Sequence, residues 1–326
     1  KENIMLESKE VSQYEELIGN YQSRIQSEIN LGHFDTANNL LNAIESISIL
    51  KKGDEPNWGK NPYKDEILQL LSHNESQESD SNPNLSATSI QTYNQCPLKY
   101  KYRYIDGIPG APEKPYFQLG KVIHKVLEIF HEENYSSYED LIALLDSNWQ
   151  EGGYKYEQEK EQNRQDAEGM LKNYWDYIQL HPVNTLYTEH WFSFETDYAI
   201  LSGKCDRIDL DENGNLSIVD YKTSKTPKTE RQLKKDIQLG IYALFTSLNG
   251  VETSHKKNIK KIPEKLSMMF VREEVPEVAV ELTHDDLDVI EENIRATSNG
   301  IKKNNFIPCK GMHCDYCDYK ELLCPL

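Results

Sequence analysis

The sequence predicts an α/β fold on three observations. Strand-like runs at 204–210 and 216–222 flank Asp211-Glu212-Asn213-Gly214-Asn215, whose Asn-Gly supplies the positive φ angles of a tight hairpin turn. Apolar residues recur at helical spacing on both sides of that hairpin, at 116–133, 157–180 and 229–248. Further strand-like runs, at about 265–272 and 277–282, follow the last of these helices.

The elements follow in chain order. Residues 1–72 read as a helical hairpin, Tyr14–Ile29 and Phe34–Leu50, with Gly32 between them. This appendage carries 7 Lys/Arg against 12 Asp/Glu, an acidic surface unsuited to DNA. Residues 73–84, HNESQESDSNPN, are a polar linker. From 85 to 326 the chain reads as one α/β unit ending in a Cys-rich tail. Ser86 caps a helix running to about Tyr104, and Gly107–Pro115 is a loop. Helices are expected at 116–133, 137–149 and 157–180, strands at 187–200, 201–210 and 216–222, a helix at 229–248, the two later strands, and a helix at 284–302.

The 326 residues carry a net charge of −18, so the surface as a whole repels nucleic acid and any such site must be a local basic patch. With neither a signal peptide nor an apolar run of membrane-spanning length, the chain is read as cytoplasmic. It starts at Lys1 rather than Met, as a fragment of a longer chain would. Six cysteines without a secretory signal favour metal binding over disulfides.

The hairpin strands carry charge where core strands do not: Asp206, Arg207 and Asp209 on the first, Asp220 and Lys222 on the second. Ile218-Val219 leads into Asp220, the context of a buried strand. Residues two apart share a face, so Asp220 and Lys222 point the same way. If Asp206 joins them, two carboxylates form a hard-oxygen site for Mg²⁺ or Mn²⁺ beside a lysine. That set suffices for phosphodiester hydrolysis. A lone D-x-K is common, and solvated surface charge is the other reading. His124 lies at the edge of an apolar helical stripe (Val122, Ile123, Val126, Leu127, Phe130), where a packed boundary histidine competes with a ligand. Gln238 and Tyr242, at i and i+4, are equally compatible with boundary packing.

Four motifs occur in order: Gly120-x-x-x-His124, Gly203-x-x-Asp206-Arg207-x-Asp209, Val219-Asp220-Tyr221-Lys222-Thr223 and Gln238-x-x-x-Tyr242. Together they resemble the RecB/AddB-type branch of the PD-(D/E)XK nuclease superfamily over about 85–326. The resemblance implies a restriction-endonuclease-like core, a central mixed sheet flanked by helices. It implies Asp206, Asp220, His124 and the Tyr221 carbonyl as metal ligands and Lys222 as the catalytic lysine. Gln238 and Tyr242 would line the site or contact DNA. Cys205 stands where the motif name has proline. Glu189 is read as a surface acid at a strand start, with an extra acid near the site as the other reading.

The tail reads Cys309-x4-Cys314-x2-Cys317-x6-Cys324, with Cys96 far upstream. Four thiolates at such spacing suit zinc or a [4Fe–4S] cluster equally. The resemblance implies the cluster, on Cys96, Cys314, Cys317 and Cys324. Cys309 is then spare, with a register in which it replaces Cys324 as the alternative. Cys205 reads as a small buried residue.

Two basic runs are candidate DNA contacts. One is Lys222, Lys225, Lys228, Arg231, Lys234 and Lys235; the other is Lys99–Tyr104, where cations and tyrosines alternate. The second reads equally as core tyrosines with solvated cations. The expectation is a metal-dependent deoxyribonuclease of repair or recombination, acting on single-stranded DNA or DNA ends. The resemblance further implies a UvrD-like helicase on the same or another chain. The competing class is a non-catalytic Fe–S or zinc module that binds DNA or scaffolds a repair complex.

Overall fold

The computed structural model describes residues 14, 17–19, 21–22, 24–25, 28–29, 33–52, 54–59, 61–64, 67–68, 81–110, 115–149, 156–253, 257–321 and 323–325. Gly32, residues 73–80 of the expected linker and 254–256 lie outside this set, as does part of the first expected helix.

The chain divides into two compact units. One comprises Lys1–Asp80, Gln95–Lys99 and Gly300–Leu326; the other comprises Ser81–Asn94 and Tyr100–Asn299. In the first unit, helix α1 (Phe34–Leu50) buries Leu40, Ala43 and Ile47 against Leu17, Tyr21 and Ile67, with Ile307 packed on the cluster. Cys96 and the four tail cysteines all belong to this unit.

The second unit is built on a mixed six-stranded sheet. Its strands are β1 (Asn84–Leu85), β2 (Thr185–Glu195), β3 (Ile200–Leu210), β4 (Leu216–Lys222), β7 (Lys265–Phe270) and β8 (Glu277–Val280), while β5 (Val251–Glu252) and β6 (Asn258–Ile259) form a separate ribbon. Strand β3 pairs antiparallel with β2 and β4 and parallel with β1; β4 pairs parallel with β7, which pairs antiparallel with β8. The β3–β4 turn is the one the sequence encodes: Gly214 has φ 81°, and the Asp211 carboxylate accepts from the Asn213 and Asn215 N–H groups.

The helices of the two units, taken in chain order, are α2 (Ala87–Gln95), α3 (Pro97–Tyr100), α4 (Pro115–Glu132), α5 (Tyr138–Asn148), α6 (Glu157–Leu180), α7 (Glu230–Leu233), α8 (Ile237–Leu248) and α9 (His284–Lys302). Helices α4–α6 bury Ile123, Val126, Leu127, Leu145, Leu171 and Tyr174 in one core with Val219, Tyr221 and Met269 of the sheet and Val271 just after β7. A separate aromatic group joins α8 to β2, with Phe245 stacked on Phe192 (4.4 Å, 12°) and Tyr242 edge-on to it. The expected sheet flanked by helices is the observed fold.

Two expected helices are broken. The run 86–104 is interrupted at Cys96, because Pro97 disfavours helical backbone in the residue before it and opens a new turn. A five-residue π-helical segment, Lys101–Ile105, follows. The run 229–248 splits because the Asp236 side chain accepts from the N–H groups of Gln238 and Leu239, capping α8 afresh. The expected strands 187–200 and 201–210 are Thr185–Glu195 and Ile200–Leu210, separated by a turn in which Thr196 Oγ1 accepts from Ala199 N–H.

Gly203 permits the closest packing of the β2–β3 pair. A Cβ there would sit 2.6 Å from a Phe192 ring atom, and Phe192 is fixed by its stack on Phe245. Gly203→Ala is expected to cost about 1–3 kcal/mol, as overpacking does, read as a lower urea midpoint with an unchanged m-value.

Candidate active site

The carboxylates of β3 and β4 converge. Asp206 (7% exposed) and Asp220 (1%) are buried, and the Tyr221 N–H donates to Asp206 Oδ2 at 2.7 Å. His124 of α4 brings Nδ1 to 3.4 Å from the same oxygen. Gly120 lets α4 come this close, since a Cβ there would lie 3.2 Å from Thr223 Oγ1, just beyond the Lys222 end of β4. Burial alone would lower the His124 pKa, but Asp206, Asp220 and Glu189 together raise it above the usual histidine value.

Lys222 Nζ lies 2.5 Å from Asp220 Oδ2 and donates to Gln238 Oε1 at 2.9 Å. Gln238 Nε2 in turn donates to the Tyr242 hydroxyl (2.8 Å), which reaches Asp220 Oδ1 at 3.1 Å and the Lys204 carbonyl at 2.8 Å. The i, i+4 pair on α8 therefore closes a ring around the Asp220–Lys222 pair. Tyr242 is 2% exposed, and its hydroxyl is engaged within that ring. Burial raises the Asp220 carboxyl to about 6, with Lys222 pulling it down and Asp206 pushing it up. Desolvation would lower Lys222, but Asp220 outweighs it and keeps the amine charged.

Glu189 is not the surface acid the sequence reading makes it. It is half-buried, and one of its carboxylate oxygens lies within 4.8 Å of ligand atoms of both His124 and Asp206, the one such group of three among the described residues. Its neighbours in β2 pair as Thr188 with Arg207 and His190 with Cys205, which sets Glu189 across from Asp206. Its φ of 47° is unusual for a non-glycine and marks a local irregularity in the strand. Lys204 forms an ion pair with it. The donors fit a hard divalent cation: carboxylate oxygens, one imidazole, and a buried Asp220 Oδ2 that faces the Lys222 ammonium.

Behind these groups lies a buried network that sequence reasoning missed. Arg207 (2% exposed) donates to Asp209, to the hydroxyls of Tyr174 (2.7 Å) and Tyr221 (2.9 Å), and meets His131 Nε2 at 3.1 Å. Burial and the Arg207 charge push His131 down to about 3, so it stays neutral. Cys205 is fully buried, and burial with the two nearby carboxylates holds its thiol protonated.

A cavity of about 1000 Å³ opens onto Gly120, His124, Glu189, Lys204 and Asp206. Its wall carries five cations, Lys121, Lys125, Lys204, Lys225 and Arg272, against four carboxylates, in a chain with 54 acidic and 36 basic residues. Three of the cations are paired, Lys125 with Glu128, Lys204 with Glu189 and Arg272 with Asp166, so the wall is mixed in charge, though less acidic than the chain as a whole. Of the basic run after β4, only Lys225 reaches it: Lys228 pairs with Asp236 at 2.6 Å, and Lys234 lines a separate hollow with Asp211 and Glu264. Arg231 and Lys235 are exposed. In the other run, Tyr100 is buried and Lys101 pairs with Asp106. If phosphates follow the cavity, replacing Lys121, Lys125 and Lys225 with Gln is expected to flatten the salt dependence of DNA binding by about two to three counterions. The same change at Lys228 and Lys234 is expected to leave it as it was.

In the other unit, the Cys309 N–H donates to Cys96 Sγ (3.5 Å) and the Gly311 N–H to Cys314 Sγ (3.4 Å). Burial raises the Cys309 thiol, and the nearby Cys96 and Cys314 raise it further. Cys309, spare in the sequence reading, thus lies with Cys96 and Cys314, while Cys317 and Cys324 are half-buried in the turns that follow.

Paired carboxylates and a lysine on the hairpin of a mixed α/β sheet are the arrangement expected of a metal-assisted hydrolase of phosphodiesters. The family model of the PD-(D/E)XK nuclease superfamily matches residues 84–325, and the chain belongs to that superfamily. No curated protein matches it. Among solved structures it is similar to an exonuclease candidate from Eubacterium rectale, with 15% identity over 78% of this chain and 94% of that one and a TM-score of 0.48. The protein SSO0001 gives 15%, 81%, 93% and 0.36. Protein VC1899 from Vibrio cholerae gives 11%, 66%, 56% and 0.23.

Proposed function

We propose that the chain is a Mg²⁺- or Mn²⁺-dependent deoxyribonuclease acting on single-stranded DNA or DNA ends in repair or recombination. The observation that carries this reading is the convergence of Asp206, Asp220, His124 and Lys222, with Asp206, His124 and Glu189 opening onto the cavity and buried Asp220, paired with Lys222, behind them. Asp206, Asp220, His124 and the Tyr221 carbonyl would hold the metal. When bound, the ion would lower the pKa of a water and offset charge developing on the phosphate. Lys222, held charged and aimed by Gln238, would stabilise the same charge or orient the water. Gln238 and Tyr242 fix the geometry of that pair, and Lys121, Lys125 and Lys225 guide the strand.

The proposed domain division is a helical appendage at 1–72, a linker at 73–84 and a nuclease domain at 85–326. Cys96, Cys314, Cys317 and Cys324 would hold a [4Fe–4S] cluster, with Cys309 in place of Cys324 as the alternative, which the Cys309 N–H contact with Cys96 Sγ favours. A UvrD-like helicase is the proposed partner. Products from end-labelled single-stranded, duplex and circular DNA test the substrate. Rapid loss of end label from linear strands with circles intact is expected, and equal cutting of circles would contradict preference for ends. Iron and sulfide in the anaerobically purified protein test the cluster. Cys96→Ala is expected to lose both and become protease-sensitive, whereas zinc without sulfide would replace the cluster with a zinc site.

A further inference from the structure

We infer that Trp191 is a stacking platform for the base next to the cleaved phosphate, so that the site takes an unpaired strand. This rests on the nuclease reading and adds to it a residue outside every motif. Trp191 is 72% exposed, and of the four tryptophans it alone is mostly exposed. Indole is large and apolar, and folded chains usually bury most of it. Its place in β2 says what it faces. Trp191 pairs with Lys204 across the β2–β3 ladder, and Lys204 Nζ lies over the indole, 5.6 Å from its centroid. The same ammonium pairs with Glu189, whose carboxylate belongs to the group with His124 and Asp206. One side chain therefore links the exposed ring to the candidate metal centre.

The spacing fits a nucleotide. Glu189 and Trp191 are two residues apart, about 7 Å of strand, comparable to the step between successive nucleotides of an extended single strand. Lys204 and Glu189 line the cavity, so a phosphate held there leaves its neighbouring base within reach of the indole. Among the described strands β2 pairs only with β3, which leaves the ring's outer side without a neighbouring strand. A base in a duplex is stacked and paired and cannot lie on the ring; an unpaired base can. Stacking on an aromatic tolerates any base, which suits a nuclease indifferent to sequence.

The test compares labelled oligo(dT) with an abasic strand of equal length, by fluorescence anisotropy in Ca²⁺ buffer. Wild-type protein should prefer the strand with bases by about tenfold or more. Trp191→Ala should lose that preference while binding the abasic strand as wild type does, and Trp191→Phe should keep most of it. Melting curves should match, because the ring is exposed. A Trp191→Ala protein that keeps the full preference would overturn the assignment and leave the nuclease reading standing. A wild-type protein that binds neither strand would overturn both.

Discussion

Asp220→Asn is expected to lower phosphodiester cleavage by about 10²-fold or more and to change how the stability of the metal-free protein depends on pH. The loss follows from removing the charge of a proposed metal ligand without changing its shape. The pH effect follows from burial. Asp220 is buried, and although Lys222 faces it, burial and Asp206 raise its carboxyl to about 6. A carboxyl that ionises less readily folded than unfolded costs stability as pH rises from about 4 through 6. His131 acts in the opposite sense. Its folded value of about 3 lies below the unfolded value near 6.5, so stability is lost as pH falls from 6.5 toward 3. Between about pH 4 and 6 the two slopes oppose each other. Asp220→Asn should therefore show a melting temperature that climbs more steeply with pH than wild type across that window. An unchanged slope would mean that Asp220 is not the strained acid described.

Arg207→Met carries the largest expected loss of stability, about 3–5 kcal/mol. It removes the guanidinium partner of buried Asp209 and leaves the Tyr174 and Tyr221 hydroxyls without their shared donor. Desolvating two charges is itself costly, so the pair adds little net stability, yet breaking it strands one charge in the core. Arg207→Met with Asp209→Leu should recover much of the loss, and urea unfolding of the single and double variants measures the difference. Because the Tyr221 backbone donates to Asp206, the single variant should also bind Mn²⁺ more weakly.

The hairpin was legible because its chemistry is local. Asn213-Gly214 fixes the turn, and the turn fixes the register in which Asp206 and Asp220 meet. The i, i+4 spacing placed Gln238 and Tyr242 on one helical face, but their ring around Lys222 depends on how α8 packs under the sheet. Glu189 was misread because a carboxylate in an aromatic strand looks like an exposed acid. What brings it to Asp206 is the irregular backbone of β2, and its one sequence signal was a lone acid among Tyr187, His190 and Trp191. Arg207 and Asp209 stood out as charges in a strand, yet nothing local told of Tyr174 and His131, which arrive from α6 and α4. Lys228 looked like a DNA contact until Asp236 took it as a partner. Charge runs report composition, whereas a binding face is set by which elements meet.

The most direct measurement follows cleavage of an end-labelled single-stranded oligonucleotide while Mn²⁺ is titrated into metal-free protein, wild type beside Asp220→Asn. The account predicts cleavage that rises saturably with Mn²⁺ in wild type, stops on adding chelator, and stays near background in the variant. Equal Mn²⁺-dependent cleavage by both proteins, or none by wild type at saturating metal, would contradict it.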